Sequence, residues 1–114
     1  MSEPVDERIR RIAVNETRFR AINDHVEEEL RAITAEDEAI AFVCECGYAS
    51  CRDTISLDRH GYHAVRASST HFAVVPGHEI ADVETVIETH PGYLVVEKAP
   101  VTHGIVVEAD PRQP

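Results

Sequence analysis

The segment Cys44-Glu45-Cys46-Gly47-Tyr48-Ala49-Ser50-Cys51 holds the residue types whose spacing could do chemistry. In extended backbone, residues i and i+2 point to the same side. Cys44 and Cys46 can therefore reach one ion. Gly47 suits a sharp reversal of the chain, which would bring Cys51 back to the same point. Backbone N–H groups exposed in such a loop can bond thiolate sulfurs and offset their charge. Structural Zn2+ takes four N or S ligands in a tetrahedron, often three Cys and one His. Three thiolates are present, so the fourth ligand must come from elsewhere.

The sequence has seven histidines: His25, His60, His63, His71, His78, His90 and His103. His25 lies outside the apolar stripe of an N-terminal helix. His60 and His63 fall on a short helix whose other face needs Tyr62 and Val65, and they stay in competition for the site. His90 sits at a hairpin tip and His103 in a polar connector. His78 follows the turn Pro76-Gly77 at a strand end, where a second loop can meet a cysteine knuckle. The expected ligands are thus Cys44, Cys46, Cys51 and His78.

Other readings compete. Free cysteine is a common core residue, but Glu45, Gly47, Ser50 and Arg52 make this a loop environment. The same ligand set could hold an iron–sulfur cluster, or serve as a thiol sensor in which oxidation of Cys51 ejects the metal. Cys with His could form a nucleophile–base pair, and Asp58 with His60 a dyad. No Gly-x-Ser-x-Gly, phosphate loop or His-Glu-x-x-His accompanies them. The expectation is a protein that is not an enzyme.

These residues need elements to position them. Val5, Ile9, Ile12, Phe19, Ile22, Val26, Leu30 and Ile33 recur at helical spacing, predicting one long helix over 4–33. Ile12, Phe19, Val26 and Ile33 make a heptad seam, and Glu16 and Asn23 interrupt its companion positions. Such a helix could pack on its own domain, pair with a second copy or meet another partner. Pro4 suits its first turn, and Glu3, Asp6 and Glu7 suit its positive end. Glu7–Arg11, Glu16–Arg20 and Glu27–Arg31 have the four-residue spacing of surface ion pairs, about 0.3–0.5 kcal/mol each.

Thr34-Ala35-Glu36-Asp37 resembles a capping box and marks a break. Strands are predicted over 39–43, 53–57, 71–75, 83–89, 93–97 and 104–108, with 80–88 as a competing helix because Ile80, Val83, Val86 and Ile87 also fit a helical stripe. Asp58 should cap a short helix over 59–67. His90-Pro91-Gly92 reads as a hairpin turn.

The composition narrows the function classes. The chain has 114 residues, no Trp and a net charge of −10. Residues 1–40 carry six Arg and eleven acids, and the remainder five basic and ten acidic residues, so each part is −5. No basic stripe is available for nucleic acid. No apolar run is long enough for a bilayer, and the acidic start is unlike a secretory signal. A cytoplasmic protein is the expectation. With few aromatics, the core gains from a structural zinc, which contributes about 10–16 kcal/mol of apparent binding free energy.

The pattern resembles a family of small, functionally unassigned actinobacterial proteins. Its carriers are Phe19-Arg20 with Asn23, Cys44-Glu45-Cys46 with Cys51, and Tyr62 with Val65-Arg66. They continue with Phe72, Pro76-Gly77-His78, Val83-Glu84 and Tyr93-Leu94-Val95-Val96-Glu97-Lys98. The resemblance implies that Pro76-Gly77-His78 and the cysteines form one unit. It implies no activity. This chain differs in Asp24-His25, where a Glu would follow Asn23, and in the apolar stretch beyond Lys98.

The expected architecture is α+β: an N-terminal amphipathic helix over 1–34, a small zinc-binding domain with an antiparallel sheet and cysteine knuckle over 35–109, and a tail over 110–114. The expected function is that of a zinc-stabilised regulatory or adaptor protein acting through protein–protein contacts, with self-association through the helix as one route. A redox or iron–sulfur protein is the alternative.

Overall fold

The computed structural model describes residues 4–112, with side chains from Glu7 onward. Glu3, Val5, Asp6 and the last two residues of the predicted tail therefore lie outside the described features. The fold is α+β. Helix α1 spans Pro4–Leu30. Strands β1 (Ile40–Val43) and β2 (Thr54–Leu57) follow, then α2 (Arg59–Arg66), β3 (His71–Val74), β4 (Glu84–His90) and β5 (Tyr93–Lys98). A 3-10 turn at Pro100–Thr102 leads into α3 (His103–Glu108).

The strands divide into two antiparallel sheets. β1 pairs with β2, with Phe42 opposite Ile55. The second sheet has the order β3-β5-β4, with Phe72 opposite Val96 and His90 opposite Tyr93. That last pair encloses Pro91-Gly92, a two-residue turn in which Gly92 takes φ 88°. Successive residues of β3 and β5 face opposite ways. Phe72, Val74, Leu94 and Val96 join Ala13, Val106, Cys44 and Cys46 on one face. Ala73 and Val95 join Phe42, Ile55, Tyr62 and Val65 on the other. β3 and β5 are thus covered on both sides, and Cys44 and Cys46 belong to the core.

The short helix begins as predicted, with the Asp58 carboxylate accepting from the Gly61 N–H at 2.7 Å. Its Tyr62 ring stacks on Phe42 with centroids 4.4 Å apart.

Three sequence expectations are corrected. The segment 104–108 is helical, not a strand. Its buried positions Thr102, Val106 and Asp110 recur every four residues, the period of a helix face. Asp110 is therefore part of the fold, not of a tail: its carboxylate accepts two bonds from Arg66, at 2.6 and 3.0 Å.

The third correction concerns α1. The seam residue Ile33 lies beyond the helix and is 76% exposed, and Ile22 is 47% exposed. Glu16, Arg20, Asn23 and Glu27 are instead buried, alongside Ile12 and Ala13. Lys98 Nζ lies 2.7 Å from Glu16 and 3.1 Å from Glu84. Arg20 donates to the carbonyls of Ser69 and Val106 and lies over the Phe72 ring. Glu16 and Arg20 are thus committed to the domain. Of the two pairs Glu16–Arg20 and Glu27–Arg31, the structure has the latter, at 2.7 Å. The helix docks on its own chain through these polar groups together with Ile12, Ala13 and the partly buried Ile9, Val26 and Leu30 of the predicted stripe. Each of the polar groups has a partner, as burial requires.

Candidate metal centre

The three cysteines reach one point because the chain folds back between β1 and β2. The strand pairing continues one residue past β1, with the Cys44 N–H donating to the Asp53 carbonyl at 2.9 Å. This closes residues 44–53 into a loop. Inside it, the Cys51 N–H donates to the Tyr48 carbonyl at 2.9 Å. Glu45 points away from the sulfurs and anchors the loop to β3. Its N–H donates to the Ala73 carbonyl, and its carboxylate accepts from the Ala73 N–H at 3.0 Å. The same carboxylate accepts from the Asn23 amide of α1 at 2.9 Å. Asn23 also bonds both the N–H and the carbonyl of Val43, each at 2.8 Å. Burial pushes the Glu45 carboxyl up to about 7, against the pull of the Asn23 and Ala73 donors.

His78 arrives from the turn after β3. Pro76 and Gly77 occupy its central positions, Gly77 has φ 95°, and the His78 N–H donates to the Val75 carbonyl at 2.9 Å. Pro followed by a positive φ is the requirement of a type II turn. The ring thereby faces the loop.

The ligand atoms of Cys44, Cys46, Cys51 and His78 all lie within 4.8 Å of one another. His78 Nδ1 is 3.5 Å from Cys44 Sγ and 3.6 Å from Cys51 Sγ. A tetrahedral ion with bonds of about 2.3 Å to sulfur and about 2.0–2.1 Å to nitrogen separates its S and N ligands by about 3.5–3.6 Å. The two sulfur–nitrogen contacts match that edge, and the group of four could hold a metal ion. His78 Nε2 is 3.3 Å from the Asp53 carboxylate. That second contact leaves Nδ1 as the ligating nitrogen and fixes the tautomer it needs.

Each sulfur also meets a backbone donor. The Val75 N–H bonds Cys44 Sγ at 3.2 Å. Those of Tyr48 and Asp53 bond Cys46 and Cys51. Hydrogen bonding from Cys44 pulls the Cys46 thiol down to about 5, and the same shared proton pushes Cys44 up. The shared proton and the backbone donors thus favour the thiolate form at Cys46.

The other six histidines are elsewhere. His25 lies near Glu29 and His63 near Glu27. His71 and His103 flank Glu97, and His90 contacts Glu88 while stacking on Tyr93. His60 lines a shallow acidic depression with Glu36, Asp37 and Asp58. None of them joins the sulfur cluster among the described residues. Asp53 orients the ring and Asn23 ties down the loop, roles the sequence reading did not assign, although Asn23 is one of the residues carrying the resemblance. Asp53 lies only two positions beyond Cys51, but nothing in that spacing pairs it with His78.

Among the described residues no helix is long and apolar enough to cross a membrane. Comparison with protein families, curated proteins and solved structures finds no match for this chain.

Proposed function

We propose that Cys44, Cys46, Cys51 and His78 hold one structural Zn2+, and that the protein is a zinc-stabilised regulatory or adaptor domain without catalytic activity. The observation that carries the zinc assignment is the spacing of His78 Nδ1 from two sulfurs, 3.5 and 3.6 Å, which equals the S–N edge of a zinc tetrahedron. The compactness of the donor set favours a single ion over an iron–sulfur cluster, which spreads its protein ligands over two or more metal atoms. Four protein donors complete the shell, so no coordination position is left for a substrate or water. Two of the ligands, Cys44 and Cys46, lie in the core. That is the setting of an ion that holds a fold together.

Function then rests on surfaces. The outer side of α1 and the turn after it present Glu28, Glu29, Glu36, Asp37 and Glu38, all exposed. This acidic ridge suits a basic protein partner and repels nucleic acid. Metal analysis of protein purified without chelator should give one zinc per chain. Chelation should lower the thermal midpoint, and Cys46→Ser should carry no stoichiometric zinc and unfold more easily. Iron with visible absorbance in place of zinc overturns the zinc assignment. A native thermal transition in metal-free Cys46→Ser overturns the structural role.

A further inference from the structure

A groove of about 400 Å3 runs between α1 and the outer side of the metal loop. Its size falls within the range of small-molecule sites. Phe19 and Ile22 from α1 and Val43 from β1 make its apolar lining, with Cys51 on the loop side. The sequence assigns Phe19 and Ile22 to a packing stripe, yet the fold turns both toward this opening and leaves Ile22 47% exposed. Arg18 and Arg52 also line it, with Asn15 and Ala49. The Arg52 guanidinium meets only the carbonyls of Ala49 and Cys51, and neither arginine has a carboxylate partner among the described residues. Two guanidiniums without counter-ions beside one apolar groove are notable in a chain with 21 acidic residues and a net charge of −10.

We propose that this groove binds a small organic anion: a monocarboxylate with an apolar body. A carboxylate matches the planar fork of a guanidinium. The apolar body would cover Phe19, Ile22 and Val43, which otherwise stay in contact with water. The field of the whole molecule repels anions, so recognition depends on the two local cations. The loop forms part of the groove, so the proposal rests on the loop closing as it does around the proposed zinc. Measuring zinc on the same samples separates loss of that closure from lack of a ligand site.

Decanoate is a suitable probe, with decanol as its uncharged counterpart, on the full zinc-loaded chain. Calorimetry should show saturable binding of one decanoate. Methyl NMR shifts should centre on Ile22 and Val43. Decanol should bind about tenfold more weakly, and so should decanoate to the Arg18→Gln, Arg52→Gln double variant, since a charge-assisted bond is lost in each case. Both changes lie on the surface and should leave the zinc content at one per chain. Absence of saturable binding by a zinc-replete sample overturns the proposal. So does equal affinity for decanol, or shifts confined to another surface. Binding to vesicles of anionic lipid without binding of free decanoate overturns it in favour of a membrane surface.

Discussion

Gly47 shows how one atom can decide a position. It sits beside Cys46 in the loop, where the sequence suggests a residue freed to reverse the chain. Its backbone does not use that freedom: the positive φ angles belong to Gly77 and Gly92. What Gly47 supplies is the absence of a side chain. A Cβ there would collide with Ile12 Cγ2 of α1 and stand 3.2 Å from Ile80 Cδ1. The Asn15 amide also donates to the Gly47 carbonyl at 2.9 Å, so helix and loop cannot easily separate. Gly47→Ala should therefore destabilise by about 1–3 kcal/mol, the usual cost of overpacking, as read from urea unfolding. A loss below about 0.5 kcal/mol would mean that Ile12 moves aside freely. At this scale the grouping of the three cysteines was legible because residues so near in sequence are held near in space. His78 was legible because Pro-Gly marks a turn wherever it occurs. The close approach of Ile12 was not, since nothing local links residues 12 and 47.

At the scale of elements, α1 was easy to find and hard to orient. Helical spacing reveals a helix, and the default is to turn its apolar side inward. Here Glu16, Arg20, Asn23 and Glu27 follow the same three-and-four period as any buried stripe, but their chemistry reads as surface. Their partners Lys98, Val106, Val43 and His63 lie far along the chain, so only the folded protein reveals them. The buried carboxyl of Glu16 is the clearest consequence. Burial, and then a hydrogen bond shared with Glu84, push it up from 4.5 to about 9, although Lys98 pulls the other way. A carboxyl that keeps its proton in the folded chain and loses it in the unfolded one favours folding at low pH. Its contribution is complete below about 4.5 and is lost as the pH climbs to about 9. Urea midpoints should thus fall across that interval. Glu16→Gln, which keeps the neutral shape, should flatten the fall and be at least as stable as the parent above neutrality. An unchanged pH profile would show that Glu16 is ionised beside Lys98. The helix α3 was misread for a related reason: the apolar run Ile105-Val106-Val107 has no period of its own.

On the scale of the whole molecule, one arginine joins three parts of the chain. The Arg66 side chain is fully buried on α2, donating to Asp24 of α1 at 2.7 and 3.0 Å and to Asp110 beyond α3. Burial alone would raise the Asp110 carboxyl, but bonds from Arg66, Ser69 and the Arg112 N–H hold it well below the ordinary range. Removing the cation would leave two carboxylates facing each other in the interior. Arg66→Met should cost about 3–5 kcal/mol, the usual penalty for breaking a buried ion pair, with the urea m-value unchanged. A loss of less than about 1 kcal/mol would place the weight of the assembly in the apolar clusters instead. The overall α+β plan was readable because each element carries its own local signal, whereas this clamp joins residues 24, 66 and 110 and carries none. Its geometry also sets an order of events during synthesis. Asp24 and Arg66 leave the ribosome well before Asp110, and until that last carboxylate emerges the guanidinium has only half its counter-charge. A fragment ending short of residue 110 would leave the buried guanidinium with Asp24 as its one described carboxylate partner.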